Sequence, residues 1–247
     1  MYVICFYWQG DRWQQCGYKP PRGHVNLQTK HLQRVGKVDD TLPAKYIDNL
    51  YSGVRRFADR EFKFVCFTNE HLKLKEEIEV RPFTMPVMDG VLPRLYMFSR
   101  GAGLFGEQVL CLDIDIIMVG SLSKLMNFNG LFCARSDFGR DNKPDGDVMS
   151  FRAGEETEKL FWTPFISNVP KAMKITTGRE RFWIWEVTKG NRLINQMWDT
   201  HAPGQVVSYK KDVKPKQQIP RGASIVSCHG YPRPHQLTEP WLKQYWV

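Results

Sequence analysis

An apolar run broken by two acids, Val109-Leu110-Cys111-Leu112-Asp113-Ile114-Asp115-Ile116-Ile117-Met118-Val119, constrains this chain more than any other feature. Its β-branched and long aliphatic residues are those of a buried central strand. In a strand, residues i and i+2 share a face, which predicts that the Asp113 and Asp115 carboxylates project side by side. Two neighbouring carboxylates at the end of a core strand repel each other and are costly to desolvate, so the pattern calls for a cation. The alternative is a strand that ends in solvent on two satisfied turn aspartates. The immediate return of apolar residues after Asp115 favours the cation.

Around this run, apolar segments alternate with segments of helical period, the pattern of an α/β fold. Strands are predicted over residues 2–7, 62–67, 78–82, 109–113, 131–134, 148–151, 206–209 and 224–228, and helices over 42–58, 92–101, 155–165 and 182–191. Within the first helix Tyr46, Ile47, Leu50, Val54 and Phe57 share a face, and Thr41 is the expected cap ahead of Pro43. Residues 9–40 read as a polar, basic excursion and 135–147 as a charged loop between two strands. No repeat or linker divides the 247 residues, which read as one domain with a Pro- and Trp-rich tail over 231–247.

No apolar stretch approaches the roughly 20 residues that cross a bilayer. The opening Met-Tyr-Val-Ile-Cys-Phe-Tyr-Trp has neither a basic n-region nor a small-residue cleavage site. The six cysteines, Cys5, Cys16, Cys66, Cys111, Cys133 and Cys228, form no C-x-x-C pair. This argues against a zinc site or a disulfide framework and predicts a reduced, cytoplasmic protein. With 35 Lys and Arg against 26 Asp and Glu, the net charge of +9 points to an anionic partner: a nucleotide, a phosphorylated glycan, a nucleic acid or an acidic membrane surface.

Ligands of open α/β sheets bind beyond the carboxyl ends of strands. Three predicted strand ends carry polar chemistry: Tyr7-Trp8-Gln9-Gly10-Asp11-Arg12, Asp113-Ile114-Asp115 and Cys228-His229-Gly230. Their order resembles that of the GT-A glycosyltransferases, in particular the family-8-like group of glycogenin and galactosyltransferases with its compact bacterial and phage relatives. The resemblance runs from Tyr2 to about Pro234. It also draws on Leu92-Pro93-Arg94-Leu95, on Asp145-Gly146-Asp147-Val148-Met149-Ser150-Phe151, on Val207-Ser208-Tyr209-Lys210 and on His229-Gly230-Tyr231-Pro232-Arg233-Pro234.

The resemblance implies a GT-A-like α/β domain with a mostly parallel central sheet flanked by helices. It also implies a metal-dependent, retaining transfer of sugar from a nucleotide-diphosphate donor to a hydroxyl acceptor. Asp113, Asp115 and His229 would hold the ion, a mixed oxygen and nitrogen set that suits Mn²⁺ better than Mg²⁺. Arg233 would contact the diphosphate, with two parallel hydrogen bonds open to a guanidinium. Arg94 would face the donor, with Ile114 and Gly230 lining its site. Tyr7, Trp8, Asp11 and Arg12 would take the base and ribose, by stacking and by accepting hydroxyl protons.

Two departures stand out. His235 occupies the place where the family's histidine motif ends in tryptophan. Where the family carries Gly-Asp-Gln, the nearest stretch here is Gly178-Arg179-Glu180, which leaves Asp147 and Glu180 as the candidate acids on the acceptor side. The basic charge admits an anionic acceptor, a phosphorylated glycan or DNA.

Other classes remain open on the sequence. A nucleotidyltransferase would place a Gly-rich phosphate loop after the first strand, where this chain has the single glycine of Trp-Gln-Gly-Asp-Arg. A metal-dependent nuclease would place a lysine near the acids, and Lys124 is the nearest. A basic nucleic-acid-binding protein with a structural acidic pair would account for the charge, though no reading motif is present.

Overall fold

The structure, a computed structural model, describes residues 1–8, 41–84, 92–176, 178–190, 196–230 and 232–247. Asp11 and Arg12 of the expected base and ribose site lie outside these, as does the 9–40 segment around them.

Seven strands form the main sheet in the order β3-β2-β1-β4-β7-β6-β8. Four are parallel neighbours: β1 (Tyr2–Phe6), β2 (Lys63–Phe67), β3 (Ile78–Arg81) and β4 (Gln108–Leu112). Strand β7 (Arg140–Arg152) runs antiparallel between β4 and β6 (Phe132–Asp137). The two-residue β8 (Gln196–Met197) pairs parallel with β6. A second sheet of three strands sets β10 (Ile225–Ser227) between antiparallel β5 (Ile116–Met118) and parallel β9 (Val206–Ser208). The result is an α/β fold with a mixed, mostly parallel central sheet.

The central strands are apolar at nearly every position because both faces of the sheet are covered. In β1, Ile4 and Phe6 enter one core while Val3 and Cys5 enter the other. In β4, Val109 and Cys111 alternate in the same way with Leu110 and Leu112. The first core is closed by Leu92, Leu95 and Phe98, which belong to a 3₁₀ segment (Leu92–Phe98), together with Phe161, Phe165 and Ile184. The Leu42–Phe57 helix covers the second through Ile47, Leu50 and Val54. Pro43 lies in its first turn as expected, but Thr41 is in the right-handed helical region and makes no side-chain cap.

Two readings of the sequence are corrected. The acid-broken run is not one strand. It leaves the main sheet after Leu112 and resumes as β5 in the second sheet, so Asp113, Ile114 and Asp115 form the crossing between the sheets. Residues 135–147 are not a loop but most of the β6–β7 hairpin, whose register shifts at Ala134/Arg135 and Ser136/Asp137. Among the described residues no helix is long and apolar enough to cross a membrane. The five described cysteines are buried free thiols.

Candidate active site

Because β4 alternates, Asp113 continues the face of Cys111 and turns toward the 3₁₀ segment that carries Arg94. Its backbone N–H donates to Asp147 O at 2.9 Å, which ties the end of β4 to β7. Arg94 is 4 % exposed. Its Nη1 lies 2.7 Å from Asp113 Oδ1 and 2.8 Å from Glu180 Oε1. Its Nη2 donates to Gly146 O at 2.7 Å and lies 3.4 Å from Cys111 Sγ. Arg94, expected to face the donor, is thus the hub of an interior network. A Cβ added at Gly146 would come within 2.7 Å of Arg94 Nη1 and closer still to Glu180 Oε1, so the network needs glycine there.

The acids of this network are crowded and dry. Burial pushes Glu180 up to about 7 against the lowering effect of Arg94, with Asp113 adding to the rise. Burial likewise pushes Asp145 up to about 6, against Arg181. Asp147, whose carboxylate accepts a hydrogen bond from Ser227 Oγ, is raised well above the ordinary carboxylate range by burial and by the neighbouring Asp145 and Asp113. Burial works against the charge of Arg94, but Asp113 and its other partners more than restore it. Asp147 and Glu180 are both buried, Asp147 linked to Asp113 through its backbone carbonyl and Glu180 through Arg94.

Asp115 has a different partner. It is buried, and its carboxylate forms an ion pair with Arg233 Nη1. The Arg233 side chain is 22 % exposed, and its backbone N–H is held at 2.9 Å by Gln236 Oε1. Cys228 N–H reaches Asp115 O at 3.3 Å, which brings the end of β10 against the acidic turn. His229 follows. Its Nε2 lies 2.7 Å from Ser208 Oγ, and its ring stacks on Phe138 with centroids 4.7 Å apart. Burial and Lys210 lower its pKa. Gly230, at φ 75°, takes a backbone conformation that favours glycine.

The structure therefore brings the backbones of Asp113, Asp115 and β10 together and gives each side chain its own partner. Among the described residues no group of three or more His, Cys, Asp or Glu is gathered closely enough to hold an ion. Ile114 is half-buried and packs against both the second core and the second sheet. Trp8, expected to stack on a base, is buried in the first core with its ring edge-on to Phe83 at 6.3 Å. Tyr7 is the more open of the two. Sequence reasoning missed Ser208, Ser227 and the necessity of Gly146. All three lie in or beside stretches that carried the family resemblance, and that was the available signal.

No protein-family profile and no curated protein sequence matches the chain. Solved structures do. The glycosyltransferase GlyE of Streptococcus pneumoniae TIGR4 superposes with a TM-score of 0.60 at 12 % identity, over 99 % of this chain and 59 % of GlyE. The galactosyltransferase LgtC, solved in complex with donor and acceptor sugar analogs, superposes with a TM-score of 0.59 at 10 % identity, over 99 % of this chain and 93 % of LgtC. The chain has the GT-A glycosyltransferase fold. The bifunctional glycosyltransferase WbbM gives a TM-score of 0.55 at 10 % identity, over 98 % of this chain and 50 % of WbbM. This GT-A chain thus spans less than two thirds of GlyE and WbbM but nearly all of LgtC.

Proposed function

We propose that the protein transfers a sugar from a nucleotide-diphosphate donor to a hydroxyl acceptor, at the turn where the chain crosses between its two sheets. One observation carries the reading. In a fold shared with glycosyltransferases over almost its whole length, two aspartates lie at the carboxyl end of β4, and each carries a guanidinium on its carboxylate. A site that holds positive charge against an acidic turn is suited to a diphosphate bridged by a cation.

As residue types the donor set suits a divalent ion, and the three side chains, which now meet Arg94, Arg233 and Ser208, would have to turn toward one another to hold it. Two carboxylates share one turn, and His229 follows a residue hydrogen-bonded to that turn. Asp113, Asp115 and His229 would hold the ion, and the mixed set favours Mn²⁺ over Mg²⁺. When bound, the ion supplies Lewis-acid stabilisation of the charge that develops on the diphosphate. Arg233 is the protein's own cation at the same place. Its planar donors suit a diphosphate as well as a carboxylate, so donor binding would move it from Asp115 to phosphate. Tyr7, with Asp11 and Arg12, takes the base and ribose, and Ile114 and Gly230 border the diphosphate. Arg94, Asp147 and Glu180 act from behind as positioning residues that fix Asp113. The net charge of +9 favours an acceptor with anionic groups, such as a phosphorylated glycan or DNA.

The test is donor turnover. The protein is incubated with uridine, guanosine and adenosine diphosphate sugars, with and without Mn²⁺, and release of the nucleoside diphosphate is followed. The expected result is turnover of one donor that needs the ion and falls at least about a hundredfold in Asp115→Asn. Absence of turnover with every donor, together with salt-sensitive binding to duplex DNA, would favour the nucleic-acid-binding class instead.

A further inference from the structure

The second sheet delivers three pieces of chain to one edge. Ile116 of β5, Ser227 of β10 and Ser208 of β9 lie in one row across it. Strand β5 runs antiparallel to the other two, so Asp115 precedes it at the edge where β9 and β10 end. His229 and Gly230 leave β10 at that edge, and Lys210 leaves β9 there. Open α/β sheets take ligands beyond the carboxyl ends of their strands.

The short turn Tyr209–Val213, which carries Lys210, is tied down by the residues on either side of it. Asp212 Oδ2 accepts the Ser208 backbone N–H at 2.7 Å, and Ser208 Oγ accepts the Lys211 backbone N–H at 3.2 Å. Tyr209 Oη donates to Glu239, and Lys211 Nζ to the Phe138 carbonyl. Lys210 is the exception. It is half-buried, and its ammonium has no carboxylate or other acceptor among the described residues. Its place is nonetheless defined, because a Cβ added at Gly230 would lie 3.0 Å from Lys210 Nζ. A side chain there would displace the ammonium, and glycine leaves it against the backbone beside His229.

Charge sets Lys210 apart from the two arginines. Arg94 is paired with Asp113 and Arg233 with Asp115. Arg233 must leave Asp115 before it can meet a phosphate, whereas Lys210 has no partner to leave. A half-buried cation without a counter-charge is poorly solvated, and an anion beside it recovers part of that loss. An ammonium is a compact point charge with three donors, which suits the non-bridging oxygens of a phosphate.

We propose that Lys210 is a further contact for the diphosphate of the donor, reaching it across Gly230. The inference rests on the reading of the acidic turn as a diphosphate site, and adds a cation that is in place before the ligand arrives. Part of the affinity for diphosphate is then the protein's own and needs no divalent ion.

The test is calorimetric titration with inorganic pyrophosphate, once with Mn²⁺ and once with a chelator in its place. The expected result is a dissociation constant at least about tenfold higher in Lys210→Met in both titrations. Lys210→Arg, which keeps the charge, should restore most of the affinity. Lys214→Met removes an exposed cation just beyond the turn and should leave binding unchanged. Methionine keeps the length of the stem and breaks no hydrogen bond, so the fold stands, and melting temperatures check this. Pyrophosphate that does not bind, equal affinity in Lys210→Met, or an equal loss in Lys214→Met would overturn the proposal. So would a loss confined to the Mn²⁺ titration, or one that Lys210→Arg does not restore. If no donor is turned over while Lys210→Met still weakens pyrophosphate binding, sugar transfer fails and the diphosphate contact stands. If a donor is turned over and Lys210→Met leaves pyrophosphate affinity intact, the contact alone fails.

Discussion

Asp113 and Asp115 are two residues apart and each meets an arginine, yet the two pairs are built differently. Arg94 is locked from several sides by Asp113, Glu180, the Gly146 carbonyl and Cys111. Arg233 has one carboxylate partner among the described residues and a partly exposed side chain, just ahead of the short Pro234–Gln236 turn. The first pair belongs to the core. The second is a rim contact that can exchange. Desolvation explains the contrast: a buried guanidinium needs every donor satisfied, whereas an accessible one can trade a carboxylate for a phosphate at small cost.

The largest test of this contrast is Arg94→Ala. It strands the buried Glu180 carboxylate, the Gly146 carbonyl and the half-buried Asp113, and should destabilise the protein by about 3–5 kcal/mol in urea unfolding. A loss below about 1 kcal/mol would erase the distinction between the two pairs.

Next is the pH dependence of stability. Glu180 in the folded protein titrates at about 7 instead of 4.5, so it holds its proton where the unfolded chain has lost it. That contribution is complete below 4.5 and disappears as the pH rises through about 7. Asp145, raised from 3.8 to about 6, acts in the same sense over a lower window. For Glu180 the loss is about 3 kcal/mol, and Glu180→Gln should flatten the profile between those limits. Stability that instead rises across the window would contradict the dry, crowded network.

Gly146→Ala should cost about 1–3 kcal/mol through the clash with Arg94 and Glu180. Arg233→Ala should cost less than Arg94→Ala, about 1–3 kcal/mol in unfolding, because it strands the single buried carboxylate of Asp115 and no wider network, while weakening nucleoside diphosphate binding in calorimetry. A large stability loss in Arg233→Ala would place that pair in the core with the other.

Much of the architecture was legible because the central strands are apolar throughout and the Leu42–Phe57 helix keeps one apolar stripe. The hairpin of β6 and β7 was not. Its residues carry charge that finds partners only in the folded chain: Arg181 bonds Asp137 at 2.7 Å and lies 3.8 Å from Asp145, and Arg135 pairs with Asp199. Local alternation cannot show pairs that lie dozens of residues apart. The candidate site was legible as a place, through Asp113-Ile114-Asp115 and Cys228-His229. The orientation of its side chains was not. Arg94 is drawn inward by Glu180, 86 positions later, and Trp8 is held in the core by Phe83. Neither partner is marked in the neighbouring sequence.

The central claim, that the acidic turn takes a nucleoside diphosphate together with a divalent ion, is tested most directly by calorimetric titration of nucleoside diphosphates. The titrations are run with Mn²⁺ and after chelation, on the wild-type protein and on Asp115→Asn. The account predicts binding of one nucleoside diphosphate with Mn²⁺, weakened at least about tenfold by chelation and by the substitution alike. Binding of equal strength in all of these conditions, or of none, would contradict it.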